Sequence, residues 1–276
     1  MLLIKDAESN RGKSTSEEIL GRAIKEFTRW DEVVIATMVH GRMRTGPNGA
    51  GLSRKAIFTE IDASLRRLKT DYVDLFQIHR WDYDVPVDET LEALDTIVNA
   101  GKARYIGASS MHAWQFMKAL AVSKQNGWSR FVSMQNYVNL LYREEEREML
   151  PLCQSEGIGI IPWSPLARGR LTRDWDEVSA RSEKDAFGKT LYAETANADR
   201  KVVNAVAALA SVRHLPRAQV AMAWLLYKRG ITAPIVGATK PQHLDDAVAG
   251  LDVELSAIEI KALEAPYLSH AVTGFN

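Results

Sequence analysis

The sequence predicts an α/β fold in which a parallel sheet is covered by helices, and three observations predict it. Short, nearly all-apolar runs recur along the chain. Between them lie longer stretches whose apolar residues repeat at helical spacing. A glycine stands between most of these stretches and the next apolar run, where a left-handed residue suits a helix stop. Apolar strands alternating with helices are the pattern of a parallel sheet buried on both faces.

The elements follow in order. Strands are expected near residues 1–5, 33–37, 72–78, 105–108, 131–135, 159–163 and 232–236. Ser14 and Thr15 stand three residues before Glu17 and Glu18, a capping pattern that opens the first helix. Ser53 opens a helix whose core face is Ile57, Ile61, Leu65 and Leu68. Leu91, Leu94, Ile97 and Val98 line the next helix before Gly101, and Trp114, Met117, Leu120 and Ala121 line the one before Gly127. Gly157 and Gly230 precede the last two apolar runs. The polar segment from Thr172 to Ala198 lacks periodicity and reads as a long loop after the 159–163 strand. These make seven units, one fewer than a (β/α)₈ TIM-type barrel requires. A doubly wound open sheet is the rival, but no strand is followed by a Gly-x-Gly-x-x-Gly turn. The expectation is one barrel domain over residues 1–276, incomplete at its N-terminus.

Charge and composition exclude several classes. Lys+Arg and Asp+Glu both total 35, so no basic stripe points to nucleic acid or to a membrane surface. The single cysteine, Cys153, can make no internal disulfide, and a reducing cytoplasmic setting is expected. No apolar run approaches the roughly 18 residues of a spanning helix. Met1 to Ile4 is too short for a signal-peptide core. Ala7 to Ser14 fits a relaxed P-loop pattern, but Ala7 replaces its first glycine and the rest of the chain reads as a barrel. His40, His112, His214 and His270 show no metal-ligand spacing, and no metal is expected.

In a barrel, chemistry sits at the C-terminal ends of the strands. Those ends read Asp6, Met38, His79, Ser109-Ser110, Gln135-Asn136, Trp163-Ser164 and Gly237. Polar or aromatic groups end nearly every strand, as a ligand-binding rim would require. Turn chemistry alone also favours Ser, Asn and Gly there, so both readings stand at this level.

The wording of these ends carries a resemblance. Glu32-Val-Val-Ile-Ala-Thr37, Asp71-Tyr-Val-Asp-Leu-Phe-Gln-Ile-His79 and Gly101-Lys-Ala-Arg-Tyr-Ile-Gly-Ala-Ser109 look like segments of the aldo-keto reductase family. So do Pro162-Trp-Ser-Pro-Leu-Ala167 and Pro234-Ile-Val-Gly-Ala-Thr239, in the family's order, with the likeness covering about residues 12–265. The resemblance implies a (β/α)₈ barrel that binds NADP(H) and reduces aldehydes or ketones. Residue by residue, it implies that Ser109 and Gln135 hold the nicotinamide carboxamide, with Ser110 where an asparagine is usual. It implies that Trp163 stacks on the nicotinamide ring and that Ser164, Leu166, Gly169 and Arg170 follow the pyrophosphate. Gly237, Thr239 and Lys240 match the loop for the 2′-phosphoadenosine, and His243, Asp246 and Ala247 depart from that loop's usual residues.

The catalytic set matches less well. The family uses a tyrosine, a lysine, an aspartate and a histidine. His79 matches the histidine, Asp6 the aspartate, and Met38 stands in the place of the lysine. Arg11 falls where the tyrosine is expected, and the family's first strand and helix have no counterpart upstream. A thioether carries no charge with which to tune a phenol. Tyr137, Tyr142 or a bound water are the remaining proton donors, and the sequence alone does not position them. The expectation is an NADP(H)-binding oxidoreductase of weak or lost turnover; the alternative is a catalytically inactive NADP(H)-binding pseudoenzyme or regulatory subunit. The missing first unit would leave two open sheet edges, to be covered by a remodelled N-terminal region or by a second copy of the chain. The substrate expected is a small-molecule carbonyl compound.

Overall fold

The computed structural model describes residues 2–3, 15–177, 185–192 and 194–275. The chain divides into two compact units, the first comprising residues 1–135, 156–158 and 275, and the second residues 136–155, 159–274 and 276.

The first unit is built on five strands: β1 (Leu2–Leu3), β2 (Ile35–Val39), β3 (Val73–Ile78), β4 (Ala103–Ser109) and β5 (Phe131–Gln135). They pair in chain order and all in parallel. Helices α1 (Thr15–Phe27), α2 (Arg54–Leu68), α3 (Val87–Asn99) and α4 (Ala113–Asn126) occupy the connections. This strand–helix alternation is the predicted parallel α/β class, consistent with the (β/α)₈ barrel. The starts and stops follow local chemistry. The Ser53 side chain accepts from the Ala56 amide at 3.3 Å, and Gly127 closes α4 at φ +69°.

The core face of α2 is the expected one, with Ile57, Ile61, Leu65 and Leu68 buried. That of α4 is not. Trp114 and Met117 are exposed, while Phe116, Ala119, Leu120 and Ser123 are buried. Residue size misleads here: the 116/119/120/123 stripe has the helical spacing, and Trp114 instead leans on the Trp81 ring 6.3 Å away.

A buried clasp holds α1 and α2 to the sheet. Glu17 on α1 accepts a hydrogen bond from Thr37 Oγ1 of β2 and another from Arg67 Nε of α2, both at 2.5 Å. Gly21 makes this approach feasible, since a Cβ there would lie 2.5 Å from the Leu68 carbonyl oxygen.

The second unit contains the short strand β6 (Gly159–Ile160) and helices over Ala186–Tyr192, Ala196–Arg213, Arg217–Tyr227, Pro241–Ala249 and Ala257–Glu264. The strand expected at 232–236 does not form a ladder. Ile231 makes an isolated bridge to Ile160, and Ile235 donates one bond to the Pro162 carbonyl at 2.8 Å. The Thr232 amide also donates to the Ile160 carbonyl at 2.8 Å, but Pro162 and Pro234 have no N–H with which to extend these bonds into a ladder. The expected loop Thr172–Ala198 also needs correction, because it contains the helix Ala186–Tyr192 and the start of the next at Ala196. Asp185 opens that helix by accepting from the Gly188 amide at 2.9 Å, and it also accepts from Nε and Nη2 of Arg168. Among the described residues, no helix is long and apolar enough to cross a membrane.

Candidate active site

In the first unit, the candidate residues stand where β2, β3, β4 and β5 end. His79 follows β3 directly, is buried, and donates its backbone N–H to the Val39 carbonyl at 2.9 Å. Met38 is half-buried on β2 and sits opposite Gln77 of β3 in the parallel register. Ser109 and Gln135 are register partners, and Ser109 Oγ donates to the Gln135 carbonyl at 2.9 Å. Ser110 takes a left-handed conformation, φ +45°, and its amide donates to the same carbonyl at 3.2 Å. The Gln135 side chain is fully buried, and neither its amide nitrogen nor its amide oxygen has a partner. A buried amide left unsatisfied is costly, so this pair of atoms suits a polar ligand group such as a carboxamide. Asp6, Arg11 and the P-loop-like stretch lie outside the described residues.

In the second unit, Trp163 ends a three-ring pile. Tyr142 stacks on Tyr137 with centroids 4.5 Å apart, and Tyr137 stacks on Trp163 at 4.2 Å and 13°. Trp163 is only 7% exposed, one ring face is covered by Tyr137, and Gly274 lies against its Cζ2–Cη2 edge. The ring is thus held on one face by Tyr137 and nearly buried. Its amide donates to the Asn136 carbonyl at 2.8 Å. The tyrosine hydroxyls considered as proton donors are occupied: Tyr137 donates to Tyr192 at 2.6 Å, and the Tyr142 hydroxyl accepts from the Thr273 amide at 3.2 Å. Burial pushes both phenols above their ordinary range, which makes them poorer acids.

Beyond Trp163 the backbone turns sharply. Ser164 (φ +52°), Ala167 (φ +48°) and Arg168 (φ +57°) are all left-handed, an unfavourable conformation for side-chain-bearing residues that gathers at functional sites. Gly169 follows at φ +90°, and Leu166 is half-buried, its carbonyl accepting from the Gly169 amide at 2.8 Å. The Arg170 guanidinium lies over the Trp175 and Tyr192 rings, 4.4 Å and 4.9 Å from their centroids. Further along, Gly237 and Thr239 are exposed and Lys240 is the N-cap of the helix Pro241–Ala249, whose first residue is a proline and whose His243 amide donates to the Lys240 carbonyl at 3.1 Å. His243 Nδ1 accepts from the Thr239 amide at 3.3 Å. Asp246 accepts from Gln219 at 3.1 Å, so it is committed within the protein.

Three features escaped sequence reasoning. Arg168 and Asp185 form a two-pronged ion pair across 17 residues. The second is the carboxyl of Glu145, 5% exposed, which accepts from Asn136 Nδ2 at 2.9 Å. Burial pushes it up to about 8, an effect offset in part by the Asn136 bond, so the group is mainly protonated at neutral pH. The third is the unpartnered pair Gln77 and Ser133, one step deeper along their strands than His79 and Gln135. Counting back two residues from each expected rim group would have found both. Among the described residues, no group of three or more His, Cys, Asp or Glu side chains is placed to hold a metal.

Comparison with known proteins follows the same lines. The chain is 42% identical over 277 residues to versiconal hemiacetal acetate reductase of Aspergillus parasiticus, covering 93% of this chain and 80% of that protein. It is 46% identical over 229 residues to an aldo-keto reductase of Fusarium vanettenii, covering 82% of this chain and 61% of that one. An aldo-keto reductase of Alternaria alternata is 42% identical over 236 residues, covering 85% and 63% respectively. The chain thus spans less than two thirds of the length of the latter two relatives. The model of the aldo/keto reductase family matches residues 7–267, and the chain belongs to that family.

Proposed function

We propose that this protein binds NADP(H) and reduces small aldehydes or ketones to alcohols, with slow turnover. Members of its family are oxidoreductases that generally use NAD(P)H and act on small-molecule carbonyl compounds. The observation that carries the reading is the Gln135 side chain, fully buried with both amide atoms unpartnered at the end of β5. In the first unit, Ser109, Ser110 and Gln135 would hold the carboxamide, and His79 would orient the carbonyl oxygen by hydrogen bonding. In the second unit, Trp163, fixed by its stack on Tyr137, is the aromatic group that would pack against the nicotinamide ring. The turn from Ser164 to Arg170 would follow the pyrophosphate. Gly237, Thr239 and Lys240 would receive the phosphate, which the Lys240 charge and the positive end of the helix after it favour. When bound, the reduced cofactor supplies the hydride. Slow turnover follows from Met38, because positioned proton transfer contributes roughly 10²–10⁴-fold and a thioether cannot tune a donor.

Titration with NADPH, read by quenching of intrinsic tryptophan fluorescence, tests binding. Saturable quenching that weakens in Lys240→Ala is the expected result, and none at high micromolar cofactor would sink the proposal. Steady-state reduction of an activated aldehyde then separates a slow reductase from the second reading, a cofactor-binding pseudoenzyme, which Met38 favours. Turnover lost in His79→Ala supports the reductase; binding without any turnover supports the pseudoenzyme.

A further inference from the structure

The sheet carries polar groups that the proposed chemistry does not use. Gln77 on β3 is 0% exposed, and neither its Oε1 nor its Nε2 has a hydrogen-bond partner. Ser133 on β5 is 5% exposed, and its Oγ has none either. The register places both beside Gly107 of β4, which pairs with Gln77 on one side and Ser133 on the other. A Cβ built on Gly107 would collide with Ser133 Oγ and stand 3.0 Å from Gln77 Cγ and 3.1 Å from Gln77 Oε1. Both side chains therefore lean into the space that the glycine leaves. Met38 pairs with Gln77 on its far side, so one row across the sheet reads Met38, Gln77, Gly107, Ser133.

Few ligands fit such a row. A primary amide donates twice and accepts twice, and a hydroxyl does both once or more. A charged ligand would meet no opposite charge in the row, and burying it there would be costly. A water molecule needs two to four polar partners. Gln77 Oε1, Gln77 Nε2 and Ser133 Oγ supply three.

We propose that Gln77 and Ser133 bind a buried water beside Gly107, and that this water carries a hydrogen-bonded contact that positions the His79 ring. His79 follows β3 directly, two residues after Gln77, and its amide still pairs with Val39, so at strand spacing the two lie on one side about 6.6 Å apart, a span that one water can bridge. Gln77 is thus a positioning residue, in the row where the family's lysine would stand at Met38. Only the catalytic meaning of His79 rests on the reductase reading; the water site stands without it.

The test uses the full chain with ¹⁵N-labelled glutamine and histidine, free of cofactor. Cross-peaks between the Gln77 side-chain amide and a long-lived water are expected, and Ser133→Ala should abolish or weaken them. Gln77→Met, similar in shape but without hydrogen bonds, should lower Tm by about 2–4 °C and shift the His79 imidazole resonances. A dry site predicts the opposite sign, since removing unsatisfied amide atoms leaves stability equal or higher. Absence of water cross-peaks, or an unchanged or raised Tm, overturns the site; unchanged His79 resonances overturn its positioning role. If Gln77→Met does not fold, Ser133→Ala removes only one hydroxyl and is read by the same cross-peaks and resonances. None of these signals needs NADPH or turnover, so failure here is distinct from failure of the reductase reading.

Discussion

Glu145 makes stability depend on pH in a direction unusual for a carboxylate. Its carboxyl is buried, holds one hydrogen bond from Asn136, and is pushed up to about 8 from the ordinary glutamate value of 4.5. Between these values the folded protein keeps a proton that the unfolded chain has released. The stabilisation is therefore full below about pH 4.5 and is lost as pH rises through about 8. Each pH unit within that window changes stability by about 1.4 kcal/mol. Glu145→Gln preserves an acceptor for Asn136 and removes the titration. From pH 5.5 to 7.5 the stability of the variant relative to the parent should climb by about 2–3 kcal/mol. Urea denaturation of both proteins at half-unit pH steps measures this difference. Two curves that stay parallel across the window would show that Glu145 is ionised or hydrated in the folded state, and the reasoning would fail.

Three further outcomes follow from the same geometry. Arg67→Ala should destabilise by about 3–5 kcal/mol, because it strips a buried carboxylate of its cation, and Glu17→Gln in the same chain should recover part of that loss in urea melts. Cys153 is fully buried and its thiol is pushed up to about 12 by burial, so a thiol reagent should label it only on unfolding; rapid native labelling would contradict the packing. Met38→Lys should raise aldehyde reduction by less than about 10-fold, because a lysine alone supplies no donor; a gain of 100-fold or more would reveal a hydroxyl already in place.

Much of the first unit was legible in the sequence because its strands are apolar on both faces and bounded by helix stops. The run at 131–135 is a strand at those residues, and His79, Ser109 and Gln135 stand at strand ends as the periodicity implies. The second unit was less legible. The run at 232–236 is as apolar as the others, but its proline and that of its neighbour remove the donors a ladder needs. The helix Ala186–Tyr192 is tied to Arg168 through Asp185, a contact between residues far apart in sequence that no local pattern encodes. Trp163 was recognisable as an aromatic platform, whereas Tyr137 on one of its faces was not, since stacking depends on where two chain segments meet. Gln77 was passed over for the reverse reason. It lies inside an apolar run, and only its burial without partners gives it meaning.

The clasp at Glu17 also bears on the order in which the fold assembles. Its two bonds close loops of 20 and 50 residues, so neither can form until β2 and α2 are already in place. Gly21 lets α1 settle close to the last turn of α2, and at any greater separation the buried carboxylate would remain solvated and unpaired. Helix α1 therefore has little reason to dock by halves. It is the piece expected to join the first unit last and to leave it first, and hydrogen exchange along α1 would record that departure as one cooperative opening.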